Sequence, residues 1–325
     1  MKMKERKLIR GLGWLILVSV TLLGIQGATS AYAEYPDRPI INLRKAGPGS
    51  MVDRLDQLIS KMAPEYLGVD MPVLYKKGCS GCNAQTYVQK QPADGYHVFL
   101  DTTTTAIVLG VGDVPYTEKD WNMIIRLQVD PQGLASRTDA PWKNLNEMVD
   151  WARKNPGKLR VAGAHAVGIE PYTAMRFAEV AGIDITYVPY EGGNEIITML
   201  LGKHVDVGVL SGGEVEQQWQ AGKLQVLGIG HTERLEKYPD WPTFKEQGVD
   251  VQIYNWRGVF VKAGTSPTII NKLHNAFNAM RKDPQVVEFN KAAGQIDGYM
   301  GGPEQTNAFF EDEVRGYRKY FGKKK

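Results

Sequence analysis

The feature that most constrains the fold is an apolar stretch that runs into a glycine-rich turn and then an amphipathic helix, first at Ile40–Asp53. The apolar run stops at Ala46, Gly-Pro-Gly-Ser reverses the chain at 47–50, and apolar residues then recur at helical spacing from Val52 to Met62. This pattern predicts a strand, a tight turn and a helix. The first N–H groups of such a helix lack intrahelical partners, so the turn either binds an anion or is an ordinary connection.

The same alternation continues along the chain and predicts an α/β fold with mixed, mainly parallel sheets covered on both faces. Further strands are predicted at 71–75, 98–100, 159–162, 185–188, 205–210 and 224–229, with extended crossings at 126–130 and 255–261. Helices are predicted between the strands, including one opened by Pro171, one at 214–221, and a helical tail with starts at Pro267, Pro284 and Pro303. Two crossings between two α/β units predict a hinge and a ligand cleft.

The first 33 residues have the features of a cleavable signal peptide. Basic residues lie between Lys2 and Arg10, an apolar run follows at Trp14–Ile25, and Ala31-Tyr32-Ala33 forms an A-x-A site. The apolar run is too short for a comfortable membrane span. We therefore expect cleavage after about Ala33 and a periplasmic protein, with an uncleaved membrane anchor as the alternative.

Composition and motifs argue against several classes of function. The formal charge of +3 includes the basic start of the chain, so the mature protein is closer to neutral and gives no indication of nucleic-acid binding. Two cysteines are too few for a disulfide-framework fold. Gly-Pro-Gly-Ser matches neither nucleotide-binding glycine motif, the five histidines have no metal-binding spacing, and no G-x-S-x-G occurs. No metal, cofactor or hydrolase site is therefore predicted.

Several short motifs follow one another in a specific order through nearly all of the mature chain. They are Tyr35–Ile40, Pro48-Gly49 with Asp53, Gly78 with Gly81, Pro92–Tyr96, Pro156–Leu159, Asp184–Gly193, Ala221–Leu224 and Pro239 with Pro242-Thr243. In this order they resemble the Bug-type solute receptors, the extracytoplasmic binding proteins of tripartite tricarboxylate transporters.

The resemblance implies a two-lobed periplasmic-binding-protein fold, type II-like, with lobe 1 at 34–129 plus 257–325 and lobe 2 at 130–256. Such a protein closes on a small organic carboxylate, which backbone amides, hydroxyls and waters hold, and delivers it to the membrane subunits of the transporter. We expect a monomer that needs no cofactor and is not an enzyme. The implied ligand-binding residues are Lys45, Ala46, Gly49, Ser50, Met51, Val52, Thr102, Thr103, Thr104, Ala164, His165, Ala166, Gly168, Tyr190 and Asp206.

Two of these assignments leave alternatives open. The threonine run 102–105 either donates to a bound anion or caps a helix. Asp206 either contacts the ligand or is a solvated or capping carboxylate.

The chain departs from the family pattern at positions that bear on specificity. Arg44 and Lys45 stand where a proline and a phenylalanine are usual, and His165 stands where glycine is frequent. We expect Lys45 or His165 to pair with a second anionic or polar group of the solute, and Lys45→Phe to weaken binding without disturbing the fold. The alternative is that Lys45 points away from the cleft and is solvated.

Two other functions remain possible from the sequence. Cys79-Ser80-Gly81-Cys82 has the spacing of a thiol-exchange site, although we expect a structural disulfide in an exported protein. A solute receptor can also report to a membrane signalling kinase instead of feeding a transporter. Neighbouring genes would separate uptake from sensing.

Overall fold

The computed structural model describes residues 34–45, 51–76, 78 and 81–322. The chain from Arg38 onward forms one compact unit. The predicted signal peptide at 1–33 lies outside the described residues. Among the helices of the described part, none has both the length and the apolar character needed to cross a bilayer.

The strands of the described residues form one mixed sheet. They are β1 Ile41–Arg44, β2 Val73–Tyr75, β3 His97–Thr102, β4 Trp121–Arg137, β5 Leu159–Ala164, β6 Ile185–Tyr190, β7 Val207–Ser211, β8 Leu224–Ile229, β9 Tyr254–Lys262 and β10 Ile296–Asp297. Their order is β2-β1-β3-β9-β4-β7-β5-β6, and β8 and β10 pair with β4 beside this path. Strands β1 to β3 are parallel, and so are β5 to β7, whereas β4 and β9 run antiparallel to their neighbours.

Strand β4 connects the two parallel groups. Its first part pairs with β9 from Trp121 opposite Lys262 to Pro131 opposite Tyr254, and its second part pairs with β7 and β8. Both predicted crossings lie in these two strands. The predicted α/β class with a mixed sheet is confirmed, and the proposed lobe boundaries stay a prediction.

Helices cover the sheet and mostly follow the predicted pattern. They are α1 Met51–Leu67, α2 Cys82–Gln89, α3 Thr104–Val111, α4 Leu145–Lys154, α5 Ile169–Ala181, α6 Gly193–Leu201, α7 Gly212–Gln220, α8 Pro267–Lys282, α9 Pro284–Ala292 and α10 Pro303–Phe321. The predicted starts at Pro267, Pro284 and Pro303 are confirmed.

Two predicted helix starts are wrong by two residues. Helix α5 begins at Ile169, so Pro171 is its third residue, which is tolerated because the first-turn N–H groups have no intrahelical partner. Helix α7 begins at Gly212 because Ser211 and Glu214 form a capping box, which places Glu214 at the third position.

The core around β4 and β9 is aromatic and orients the helix that follows β3. Trp256, Phe260 and Phe310 are fully buried, and the rings of Phe260 and Phe310 meet edge to face at 5.0 Å. Helix α10, which carries Phe310, also packs closely on α3. A Cβ at Gly110 of α3 would lie 2.6 Å from the Cβ of Tyr317, so only glycine fits there. This contact fixes the last turn of α3 against α10.

Candidate functional site

A buried ion pair anchors the end of β1. Arg44 Nε lies 2.6 Å from Asp56 Oδ2, and both side chains are fully buried. Arg44 also donates to the carbonyl of Leu100 at 3.2 Å, and Asn42 donates to the other oxygen of Asp56 at 3.1 Å. These contacts tie β1 to helix α1 and to β3, so the charge of Arg44 serves the fold.

Lys45 belongs to a second ion pair. Its Nζ lies 2.8 Å from Asp101 Oδ1 and donates to Thr102 Oγ1 at 3.3 Å, and its side chain is only 15% exposed. Burial lowers the pKa of Lys45, and Asp101 opposes that shift. The aliphatic part of Lys45 also fills the space over Gly81, where a Cβ would meet its Cδ at 2.7 Å. Lys45 is therefore shielded from solvent and already has a counter-ion within the protein. Its replacement leaves the buried carboxylate of Asp101 without a counter-ion.

The hydroxyl groups of the threonine run after β3 have different hydrogen-bond partners. Thr103 Oγ1 accepts from Trp256 N at 2.9 Å and donates to the carbonyl of Tyr254 at 3.3 Å, which joins the run to β9. Thr105 donates to Asp101 at 2.5 Å. Thr102 Oγ1 accepts from Thr104 N at 3.3 Å, which is a local turn bond, whereas the N-cap residue Thr103 makes no side-chain cap bond. The hydroxyl of Thr104, 3.0 Å from that of Thr102, is the one that the fold uses least.

The turn after β5 is held by Tyr187 and by a strained residue. The hydroxyl of Tyr187 donates to the carbonyls of Ala164 at 3.2 Å and His165 at 2.9 Å, and a Cβ at Gly163 would clash with that hydroxyl. His165 has a φ of 57°, a conformation that favours glycine, and its N–H donates to Tyr190 O at 2.7 Å. The imidazole of His165 is exposed.

The two turns face one cleft with a volume of about 610 Å³. The first turns of α3 and α5 both open onto it. Its polar lining comprises Cys82, Thr103, Thr104, Asp113, His165, Glu170 and Asn255. Its remaining lining comprises Ile107, Val108, Val111, Val114, Val167, Gly168 and Ile169. The arrangement offers helix N-termini, one hydroxyl and an apolar wall to a single small molecule.

Glu170 is an acidic residue in this lining. It is the second residue of α5 and is half-buried. The pKa of Glu170 is raised to about 7, chiefly by burial and in smaller part by the negative charges of Glu214 and Asp130, while a hydrogen bond from its own backbone N–H opposes the rise. No other described residue donates a hydrogen bond to its carboxylate.

Some of the predicted site residues line the cleft together. Thr103, Thr104, His165 and Gly168 do so. Ala46, Gly49 and Ser50 lie outside the described residues, and Met51 and Val52 begin helix α1. Their predicted role stays a prediction.

Other predicted residues are not part of the cleft lining. Lys45 and Thr102 form the paired group described above, Ala164 is buried, Ala166 is exposed, and Tyr190 packs against a core cluster. Asp206 precedes β7 and accepts from Arg160 Nε at 2.9 Å and Nη2 at 2.8 Å. Because β5 and β7 are parallel, Asp206 lies at the amino ends of the strands, opposite the turns that face the cleft. The structure therefore places it in an ion pair.

Sequence reasoning missed Glu170 and the apolar wall. The wall had a usable signal, because Thr104, Ile107, Val108 and Val111 recur three and four residues apart and so share one helix face. Glu170 gave no such signal, since an acidic residue in the first turn of a helix is commonly a favourable partner of the helix dipole.

The cysteine and metal predictions have different outcomes. Cys82 is disulfide-bonded, but Cys79 lies outside the described residues, so the predicted pairing of the two stays a prediction. Within the described ranges, no group of three histidine, cysteine or acidic side chains is arranged to hold a metal ion.

Comparison with protein families gives one match that covers most of the chain. A model described as the tripartite tricarboxylate transporter family receptor, TctC, matches residues 57–322. A Pseudomonas protein encoded in the tcbD–tcbE intergenic region is 27% identical over 311 residues, which cover 94% of this chain and 92% of that protein. BugT of Bordetella pertussis is 25% identical over 304 residues, which cover 92% of each chain.

Solved structures show the same fold. A TctC solute-binding protein from Polaromonas, without ligand, aligns with a TM-score of 0.80 and 26% identity over 88% of this chain and 98% of that one. MatC from Rhodopseudomonas palustris with bound malate has a TM-score of 0.65 at 22% identity, over 88% and 99% of the chains. Another R. palustris protein, with adipate, has a TM-score of 0.67 at 23% identity, over 88% and 97%.

Proposed function

The chain belongs to the tripartite tricarboxylate transporter receptor family, and from this membership we propose that it captures a small organic carboxylate in the cleft between the turns after β3 and β5. The proposed ligand contacts are the first turns of α3 and α5, with Thr104, His165 and Gly168 at the cleft surface. The turn at 46–50 is proposed to contribute backbone N–H groups as well.

The meeting of two helix N-termini at one cavity carries the proposal. Each N-terminus carries part of a positive macrodipole, and its N–H groups that remain without a partner add to this, which together favour a bound anion. In α3 the Thr104 N–H already donates to Thr102, and in α5 the Glu170 N–H interacts with its own carboxylate and Pro171 has no N–H. A volume of about 610 Å³ is in the range of small-molecule sites. The shared fold with proteins that hold malate and adipate supports a carboxylate as the anion.

We also propose how this binding is used. The receptor is exported to the periplasm after cleavage near Ala33, acts as a monomer, and presents the loaded solute to the membrane subunits of a tripartite tricarboxylate transporter. Residues 34–129 with 257–325 and residues 130–256 move as two lobes about β4 and β9. The family description and the long pairing of these two strands support this proposal.

A thermal-shift screen of mono-, di- and tricarboxylates and aromatic acids tests the proposal. A ligand that binds only the native state at about a hundred times its Kd adds about 2.7 kcal/mol to the free energy of unfolding, so the melting temperature rises. The hit is then titrated by calorimetry against Val167→Asp. Val167 lines the cleft and is 46% exposed, so the substitution adds a repelling carboxylate without opening the core.

Val287→Asp is the matched control. Val287 is 53% exposed and lies on helix α9, outside the cleft lining. Val167→Asp should weaken carboxylate binding at least ten-fold, whereas Val287→Asp should leave it unchanged. The absence of a shift with every carboxylate, or equal binding by both variants, would contradict the proposal.

A further inference from the structure

The cleft combines features that attract an anion with an acidic side chain that repels one. The first turns of α3 and α5 line the cavity with the positive ends of their helix dipoles, and Glu170 lines the same cavity from the second position of α5. A solute that carried only negative charge would lie near this carboxylate. Like charges in a partly desolvated cavity repel each other strongly, so the solute needs a group that compensates Glu170.

The surroundings of Glu170 do not supply that group. Asp130 on β4 and Glu214 on α7 add negative charge near it, whereas Tyr187 on β6 and Tyr317 on α10 contribute phenols. His165 is the one histidine, lysine or arginine among the described residues of the cleft lining, and Asp113 adds a further carboxylate there. The lining therefore has an excess of acidic over basic side chains.

We propose that Glu170 is a specificity-determining residue whose carboxylate accepts a hydrogen bond from an ammonium group of the solute, so that the receptor selects amino-carboxylates over simple and dicarboxylic acids. The helix N-termini hold the carboxylate of such a solute, Glu170 holds its ammonium group, and the apolar side chains of α3 contact its carbon skeleton. This inference rests on the proposed function, because it specifies the kind of carboxylate captured.

The test compares ligands that share a carbon skeleton. For each chain length from three to eight carbons, calorimetry measures the affinity of the protein for four ligands: the unsubstituted acid, the 2-amino acid, the acid with a terminal amino group, and the dicarboxylic acid. A charge-assisted hydrogen bond increases affinity by roughly ten- to hundred-fold. The native protein should therefore bind one of the amino acids at least ten-fold more tightly than the unsubstituted and dicarboxylic acids of the same chain length.

Glu170→Gln removes the charge and keeps the shape of the side chain. It should weaken binding of the preferred amino acid at least ten-fold, and it should strengthen binding of the unsubstituted acid of the same chain length, because the repelling carboxylate is gone. The affinity of the native protein for the preferred amino acid should rise between pH 6 and pH 8 as Glu170 ionises, whereas the affinity of Glu170→Gln for it should not. Glu304→Gln is the control, because Glu304 is exposed and is also the second residue of a helix, α10.

The outcomes separate this inference from the proposed function. The inference would be overturned, and the receptor function left standing, if the native protein bound a simple or dicarboxylic acid more tightly than every amino acid and Glu170→Gln bound the amino acids as well as the native protein does. Equal losses in Glu170→Gln and Glu304→Gln would also overturn it. Failure of every carboxylate to bind would overturn the proposed function, and the inference with it.

Discussion

Lys45 illustrates how a residue that differs from its family can be required by the fold. Its partner Asp101 is fully buried and otherwise accepts from Thr105. Removing one member of a buried ion pair typically costs about 3–5 kcal/mol, because the remaining charge is left uncompensated. We therefore expect Lys45→Phe to destabilise the fold, in contrast to the expectation from the sequence.

We predict that Lys45→Met lowers the free energy of unfolding by about 3–5 kcal/mol in urea denaturation. Lys203→Met is the matched control, because Lys203 and Asp139 also lie 2.8 Å apart but their side chains are 66% and 55% exposed. An exposed pair contributes about 0–1 kcal/mol, so this variant should be nearly as stable as the native protein. Equal stability of the two variants would show that the Lys45–Asp101 pair is not needed for folding.

At the scale of elements, close approach of helices α3 and α10 sets the position of the cleft wall. Besides the contact with the Cβ of Tyr317, a Cβ at Gly110 would lie 2.9 Å from the backbone nitrogen of Arg318. A backbone atom cannot rotate away, so the two helices would have to separate. Alanine favours a helix over glycine by up to about 1 kcal/mol, and the clash opposes this gain.

We predict that Gly110→Ala is destabilising by about 1–3 kcal/mol, the usual cost of overpacking. Gly213→Ala, in helix α7 with no atom within 4 Å of the added Cβ, should instead be stabilising by about 0.5–1 kcal/mol. Thermal or urea unfolding of both variants measures the difference. A stabilised Gly110→Ala would mean that α3 and α10 can separate at no cost.

The elements that sequence could predict are those specified by local patterns. Strand β8 has the bounds expected from its apolar run, and α8 starts where Ser266 and Pro267 predict. The pairings of Lys45 with Asp101 and of Asp206 with Arg160 join residues 56 and 46 positions apart, so local patterns could not reveal them. Glu170 was missed for the same reason, since its position in the cleft depends on the contact of distant turns.

At the scale of the whole molecule, buried acids set how stability depends on pH. Burial raises the pKa of Glu170 to about 7, and it also raises the pKa values of Asp130 and Glu313. Each of these groups binds its proton more tightly when folded, so its contribution is complete below the unfolded pKa and is lost as pH rises through the folded pKa. Glu179 acts oppositely, because Lys319 and Tyr320 lower its pKa to about 2.

We predict that the free energy of unfolding falls between pH 5 and pH 8 and that Glu170→Gln makes this fall smaller, since glutamine cannot lose the proton. The half-buried His97, whose pKa is lowered by desolvation, shifts stability in the other direction, but it is the same in both proteins and cancels in their difference. Urea denaturation at several pH values, with ligand absent, gives both curves. Glu304→Gln should follow the native curve because Glu304 is exposed. Parallel curves for the native protein and Glu170→Gln would show that Glu170 ionises equally easily in the folded and unfolded chains, and would remove the electrostatic basis for its proposed role in the cleft.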